Sequence, residues 1–180
     1  MFIQIQNTPN PNSLKFIPEA KVSEVGPIEF LDIKKTDNKL IRDILSLNGV
    51  RGIFVYEDFL SVNKSSSIEW EEIKHIIISY INDFYSKGNK SIISKTTYEA
   101  SNKIYSDLEK KIINILETKV RPAVSKDGGD ITFQNFQNGI VTVKLQGSCS
   151  GCPSSTMTLK RGVENLLSHY VPEVKEVISN

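Results

Sequence analysis

Between Ser86 and Lys103 the chain runs SKGNKSIISKTTYEASNK, a stretch rich in Ser, Lys, Asn and Thr in which only Ile92, Ile93 and Tyr98 can pack. A connection of that length is uncommon inside one compact core and reads as a linker. The rest of the chain must therefore build two small cores rather than one. The boundaries this sets are residues 1–86, a linker at 87–102, and residues 103–180.

The first block opens with the alternating run Phe2-Ile3-Gln4-Ile5-Gln6, then Thr8-Pro9-Asn10-Pro11-Asn12, then Leu14-Lys15-Phe16-Ile17. This predicts two short strands around an exposed Pro/Asn loop. Ile28 to Ile33 is a third candidate strand. Asp37 is placed to cap a helix in which Leu40, Ile41, Ile44, Leu45 and Leu47 recur at helical spacing, and Asn48-Gly49 supplies a left-handed stop. Gly52–Tyr56 and Phe59–Asn63 predict a hairpin around Glu57-Asp58. Trp70 to Tyr85 predicts a closing helix with Trp70, Ile73, Ile77, Tyr80, Ile81 and Phe84 inward.

The second block predicts a helix from about Ile104, with Ile104, Leu108, Ile112, Ile115 and Leu116 on one stripe, ended or kinked at Pro122. Asp127-Gly128-Gly129-Asp130 reads as a turn. Ile131–Phe136 and Gly139–Leu145 alternate as strands, turning at Gln137-Asn138-Gly139. Pro153 suits a first helical position, and Met157, Leu159, Val163, Leu166 and Leu167 follow it as the apolar set. Val174 to Ile178 is a last short strand. The fold class is α+β: an N-terminal α/β sandwich-like domain, then α-β-β-α-β with a three-stranded sheet and helices on one face.

Charge narrows the function. With 22 basic and 21 acidic residues the net charge is +1, and basic runs stay as short as Lys34-Lys35 and Lys110-Lys111. Nothing there favours nucleic acid or a membrane surface. The longest apolar candidate, Ile76-Ile77-Ile78 with Ile81, is broken by Ser79, well short of the roughly 20 residues that span a bilayer. The start, Met-Phe-Ile-Gln-Ile-Gln, resembles neither a secretory signal nor an Arg-rich transit peptide. The expected location is the cytoplasm of a bacterium, or the mitochondrial matrix if a transit peptide has been removed.

The only two cysteines, Cys149 and Cys152, stand three apart in Gly147-Ser148-Cys149-Ser150-Gly151-Cys152-Pro153, where a strand should give way to a helix. Thiolates at this spacing on such a turn can address one ion or cluster. A helix start leaves backbone N–H groups unpaired, and with the helix dipole these favour thiolate over thiol. Gly147 and Gly151 let the backbone approach a metal closely. Three readings remain open: metal or cluster binding, a redox dithiol, and a bland buried pair.

Ligand counting bears on the choice. Zinc and iron–sulfur clusters want about four protein ligands, or three plus solvent, and this chain offers two thiols. His169 lies 17 residues after Cys152 on the same predicted helix, about 25 Å away at 1.5 Å per residue. His75 belongs to the other block and looks exposed. Asp127 and Asp130 are hard carboxylates, less apt beside thiolates. The missing ligands come more easily from a second copy, which would present four thiolates to one shared cluster. The rival dithiol reading meets a topological obstacle. A thioredoxin arrangement needs its C-x-x-C after an early strand with further strands and a cis-proline beyond, whereas here the motif comes near the end, and Pro172 is the sole proline past Pro153.

The segments RPAVSKDGGDI, from Arg121 to Ile131, and LQGSCSGCPSSTMTLKRGVEN, from Leu145 to Asn165, resemble the C-terminal domain of NifU-like iron–sulfur proteins, and the likeness runs from about Ile104 to Ser179. Thr8-Pro9-Asn10-Pro11-Asn12, Leu14-Lys15-Phe16, Gly49-Val50 and Trp70 resemble the N-terminal domain that accompanies this module in many bacterial and mitochondrial members. The resemblance implies a non-enzymatic scaffold or carrier. In it Cys149 and Cys152 ligate a 4Fe–4S cluster bridged between two subunits of a homodimer, with 2Fe–2S as a second form. The cluster would come from upstream assembly factors and pass to apo iron–sulfur client proteins. The chain lacks the extra cysteine sets of full-length nitrogen-fixation NifU, so it looks like the short housekeeping type. Among the other positions that match the family, Asp127 to Asp130 are expected to form a turn rather than ligate. Thr156, Thr158 and Lys160 are expected on a solvated helix face, and Met157 in the core. Ser154 and Ser155 either donate to cluster sulfides or cap the helix.

Overall fold

The computed structural model describes residues 1–95, 103–151 and 153–180, with the side chains of 153–155 outside that description. The chain divides into two compact units, Met1–Glu99 and Ala100–Asn180. The fold class is α+β, as the residue pattern predicts.

The first unit is built on a five-stranded antiparallel sheet in the order β1-β2-β5-β4-β3. Its strands are β1 (Ile3–Asn7), β2 (Ser13–Pro18), β3 (Ile28–Phe30), β4 (Val50–Val55) and β5 (Leu60–Lys64). The third strand is shorter than expected, because Asp32 caps a 3-10 turn at Ile33–Lys35 instead. Helix α1 (Lys39–Leu45) is capped by Asn38, whose side chain accepts from the Ile41 amide, and not by Asp37. Asn38 also donates to the Ile92 carbonyl at 2.7 Å, a second bond that fixes it in the capping place. Helix α2 (Trp70–Ser86) turns Ile73, Ile77, Ile81 and Tyr85 inward, with Trp70, Tyr80 and Phe84 half-buried at the margins of that stripe. These residues pack with Phe16, Ile41, Ile44, Ile53, Leu60 and Val62 into the first core.

The Pro/Asn loop is less exposed than its composition suggests. Asn10 is buried; its side chain accepts from the Asn12 amide at 3.0 Å, and Trp70 donates its indole N–H to the Pro11 carbonyl at 3.0 Å. Ile92 and Ile93, assigned to the linker from composition, are buried in the first core, and their amides both donate to the Val22 carbonyl. Two adjacent isoleucines bury enough apolar area to hold a polar segment down. Tyr98 lies outside the described residues.

The second unit carries α3 (Asp107–Ile115), a π-helical turn at Leu116–Val120, α4 (Arg121–Lys126), β6 (Gly129–Gln137), β7 (Ile140–Gly147), α5 (Pro153–Tyr170) and β8 (Glu176–Ser179). Ser106 and Glu109 form a capping box at the start of α3, so Ile104 stands outside the helix and fully exposed. The π-turn resolves the conflict at Pro122. A proline inside a helix clashes with the carbonyl four residues back, and one extra residue in the turn relieves this. The sheet order is β6-β7-β8; β6 and β7 are antiparallel, β7 and β8 parallel. Asn138 and Gly139, both at positive φ (53° and 79°), make the two-residue hairpin connection. Ile112, Leu116, Ile131, Val141, Val143, Val163, Leu167 and Val177 form the second core. Met157, expected there, is 58% exposed. It precedes Val163 by six residues, about 120° around the helix from the buried stripe.

Candidate functional site

Strand β7 ends at Gly147, which pairs with Gly129 of β6 and has φ 65°. The chain then turns through Ser148, Cys149, Ser150 and Gly151 before α5 begins at Pro153. The turn closes on itself, because the Ser150 amide and hydroxyl both donate to the Gly147 carbonyl, at 3.1 and 2.9 Å. Ser148 is buried and ties the turn to the segment between α4 and β6. Its amide donates to the Gly128 carbonyl at 3.2 Å and its hydroxyl to the Asp127 carbonyl. From the other side, the Thr156 hydroxyl of α5 donates to the Cys149 carbonyl at 3.1 Å.

Cys149 is half-buried against the second core. Its sulfur lies where a side chain on Gly129 would begin. A Cβ built on Gly129 would overlap Cys149 Sγ and stand 2.8 Å from the Gln146 carbonyl oxygen. The residue at 129 must therefore be glycine for the sulfur to occupy its place. Gly129→Ala should destabilise the second unit by about 1–3 kcal/mol through overpacking and displace the thiol. Thermal unfolding together with the alkylation rate of Cys149 checks both effects, and an unchanged alkylation rate would count against the close approach.

Burial pushes the Cys149 thiol up to about 11. A hydrogen bond with Ser148 opposes the rise, and the Asp127 and Asp130 carboxylates add to it. The expectation that the helix start would favour thiolate is therefore corrected for Cys149: desolvation outweighs it, and this residue keeps its proton at neutral pH. A metal or cluster bound there must displace that proton.

Asp130 is wholly buried and holds Arg121 in a two-point ion pair, Nε to Oδ1 at 2.8 Å and Nη2 to Oδ2 at 3.0 Å. Arg121 also lies 3.6 Å from Glu117. Gly129 and Asp130 belong to β6, which starts two residues earlier than the alternation from Ile131 predicts. His169 sits in the last turn of α5, edge-on to Tyr170, and His75 is exposed on α2 in the other unit. Among the described residues no group of three or more His, Cys, Asp or Glu side chains is arranged to hold a metal ion. Cys152, the second expected ligand, lies outside the described residues, as do the side chains of Ser154 and Ser155. The donor chemistry suits half of a soft-metal site.

Three residues shape this site without a site role in the sequence reading: Arg121, Ser148, and Thr156, which is half-buried and bonded to the turn and not on a solvated face. A signal existed for Thr156. It precedes Val163 by seven residues, two helical turns, which places it on the inward stripe.

The described site is a thiol, Cys149, on a hydrogen-bonded strand-to-helix turn in the second unit of a two-unit α+β chain. Residues 112–178 match the NifU-like domain, and residues 3–88 match the N-terminal domain of the scaffold protein Nfu/NifU. The chain is 42% identical to the mitochondrial NifU-like protein 4 of Arabidopsis thaliana, over 98% of its own length and 65% of that protein's. It is 41% identical to the mitochondrial NFU1 iron-sulfur cluster scaffold homolog of Homo sapiens, over 98% of its own length and 71% of the relative's. A solution structure of a NifU-like protein from Saccharomyces cerevisiae is 26% identical, covers 53% of this chain and 86% of its own, and superposes with a TM-score of 0.48. The chain belongs to the NifU-like (Nfu) family. It spans about two thirds of the length of the plant relative.

Proposed function

We propose that this protein is a non-catalytic scaffold and carrier that holds an iron–sulfur cluster, 4Fe–4S in its main form and 2Fe–2S in its second, through Cys149 and Cys152 of two copies. The cluster is its cargo, received from upstream assembly factors and released to apo iron–sulfur proteins. The observation that carries this reading is the thiol count: the sequence holds two cysteines, Cys149 and Cys152, where a cluster takes about four ligands. Cys149 stands on a rigidly bonded turn, and the nearby carboxylate of Asp130 is paired with Arg121. A site that a second copy completes is assembled and emptied by association, which suits transfer better than storage. The relatives' names, iron-sulfur cluster scaffold among them, point the same way. They are also named as mitochondrial, which favours the matrix over the cytoplasm, for which the comparisons give no support.

The second reading is a redox dithiol, which works with thiols of lowered pKa; burial opposes the Cys149 thiolate in either reading and does not separate them. Anaerobic reconstitution with iron and sulfide separates the two. About two irons and two sulfides per chain, a broad visible absorption band and a doubling of solution mass on loading are expected. No bound iron, with a reversible Cys149–Cys152 disulfide instead, would replace the carrier reading with the redox one. A cluster retained by a monomer in sedimentation would sink the shared site.

A further inference from the structure

We propose that Thr156 is a positioning residue for Cys149: its hydroxyl fastens the Cys149 main chain to the first turns of α5 and so sets where the ligand sulfur stands. The proposal rests on the carrier reading above.

A threonine inside a helix ordinarily turns its hydroxyl back to a carbonyl three or four residues earlier in the same helix. Thr156 does otherwise. It reaches out of α5 to the carbonyl of Cys149, seven residues earlier, in the turn that precedes the helix. Thr156 is half-buried and two turns ahead of Val163, so this bond forms at the inner side of the helix rather than in open solvent.

The two residues flanking the Cys149 peptide on the other side are bonded differently. Ser148 is held by the Asp127 and Gly128 carbonyls, and Ser150 by the Gly147 carbonyl. Those bonds tie the turn to the sheet and to itself. Among the described residues, it is the Thr156 bond that ties the Cys149 main chain to the helix. The sulfur below is confined by the Gly129 backbone. Main-chain attachment of this kind orients a ligand without touching the metal, and outer partners of metal ligands typically change affinity by about 10–100-fold when lost.

The test compares wild-type full-length protein with Thr156→Val, which keeps the branched shape and loses the hydroxyl, and Thr156→Ser, which keeps the hydroxyl. Three quantities are read: the rate at which an excess of a ferrous chelator strips the reconstituted cluster, the melting temperature of the free protein, and the rate of Cys149 alkylation by iodoacetamide, resolved by peptide mapping. The expected result is cluster loss faster by roughly tenfold in Thr156→Val, the low end for an outer partner. Thr156→Ser should behave as wild type, and the melting temperatures should be equal. Cys149 alkylation should rise severalfold in Thr156→Val alone.

Equal stripping rates in all three proteins would overturn the proposal. So would losses in both variants that follow a fall in melting temperature, since that pattern assigns Thr156 to helix stability. If the wild type takes up no cluster, the carrier reading fails by itself. The alkylation rates then decide the positioning role: a rise in Thr156→Val alone supports it, and an unchanged rate overturns it.

Discussion

Cys149→Ser should abolish cluster binding while leaving the fold in place. Serine differs from cysteine by one atom, and the site is half-buried rather than sealed. The hydroxyl also suits a turn already rich in hydrogen bonds, so the second unit should lose on the order of 1 kcal/mol at most, within the range of ordinary single substitutions. The ligand loss is of another order. A neutral hydroxyl is a poor partner for iron beside sulfide, which selects soft thiolates. In a site shared between two copies the substitution also counts twice and halves the set of four. After anaerobic reconstitution the variant should show no visible band and no dimer, with a melting temperature near that of wild type. A wild-type cluster spectrum in this variant would refute the ligand assignment outright.

Asp130→Ala should act in the opposite sense, on the fold first and on the site as a result. The Asp130 carboxylate has no exposed surface, and both its oxygens are occupied by Arg121. Removing one partner of a buried pair leaves the other charge uncompensated, a loss of about 3–5 kcal/mol. The Arg121 side chain keeps 21% of its surface in solvent and has Glu117 nearby, so the low end, about 3 kcal/mol, applies. For a unit of this size that corresponds to a fall on the order of 15 °C in melting temperature. Calorimetry of the full chain reads it as a shift in the transition of the second unit, with that of the first unit in place. A variant melting within a degree or two of wild type would show that the pair contributes little. The turn at Asp127–Gly128 receives Ser148 and begins the strand that bears Asp130. Loosening it should therefore also raise the alkylation rate of Cys149.

Much of this architecture is legible in the residue pattern. The alternation at Phe2–Gln6, the i, i+4 recurrence of Ile73, Ile77 and Ile81, and the Asn138-Gly139 pair each name their element, because each is a local rule acting with little competition. The misplaced residues share a different cause. Ile104 fits the α3 stripe by spacing, yet the Ser106/Glu109 capping box starts the helix beyond it. That S-x-x-E signal was present in the sequence and outweighs one apolar residue, since a cap satisfies donors that would otherwise face solvent. Met157 is exposed and Thr156 half-buried, the reverse of what their chemistry suggests, because angular position on α5 decides burial ahead of apolar character.

For the candidate site, the strand-to-helix turn that bears Cys149 is legible in the sequence, but the protonation of that thiol is not. Burial is a property of the folded turn, and it reverses the effect anticipated from the helix start. The pairing of Arg121 with Asp130 was equally hidden. It joins the residue that follows the π-helical turn at Leu116–Val120 to one nine positions on in β6, a contact that no local pattern announces.

The parallel pairing of β7 with β8 has a wider consequence. Two parallel neighbours cannot be joined by a tight turn, so the chain must cross back over the sheet, and α5 is that crossover. The cysteine turn thus occupies the carboxyl end of a strand where it feeds the amino end of a helix, the position in which nucleotide-binding folds gather backbone donors around a phosphate. In this protein the same corner of a β-α-β unit is fitted with a sulfur atom. An architecture suited to cradling anions is well placed to carry an assembly whose bridging sulfides are themselves hydrogen-bond acceptors.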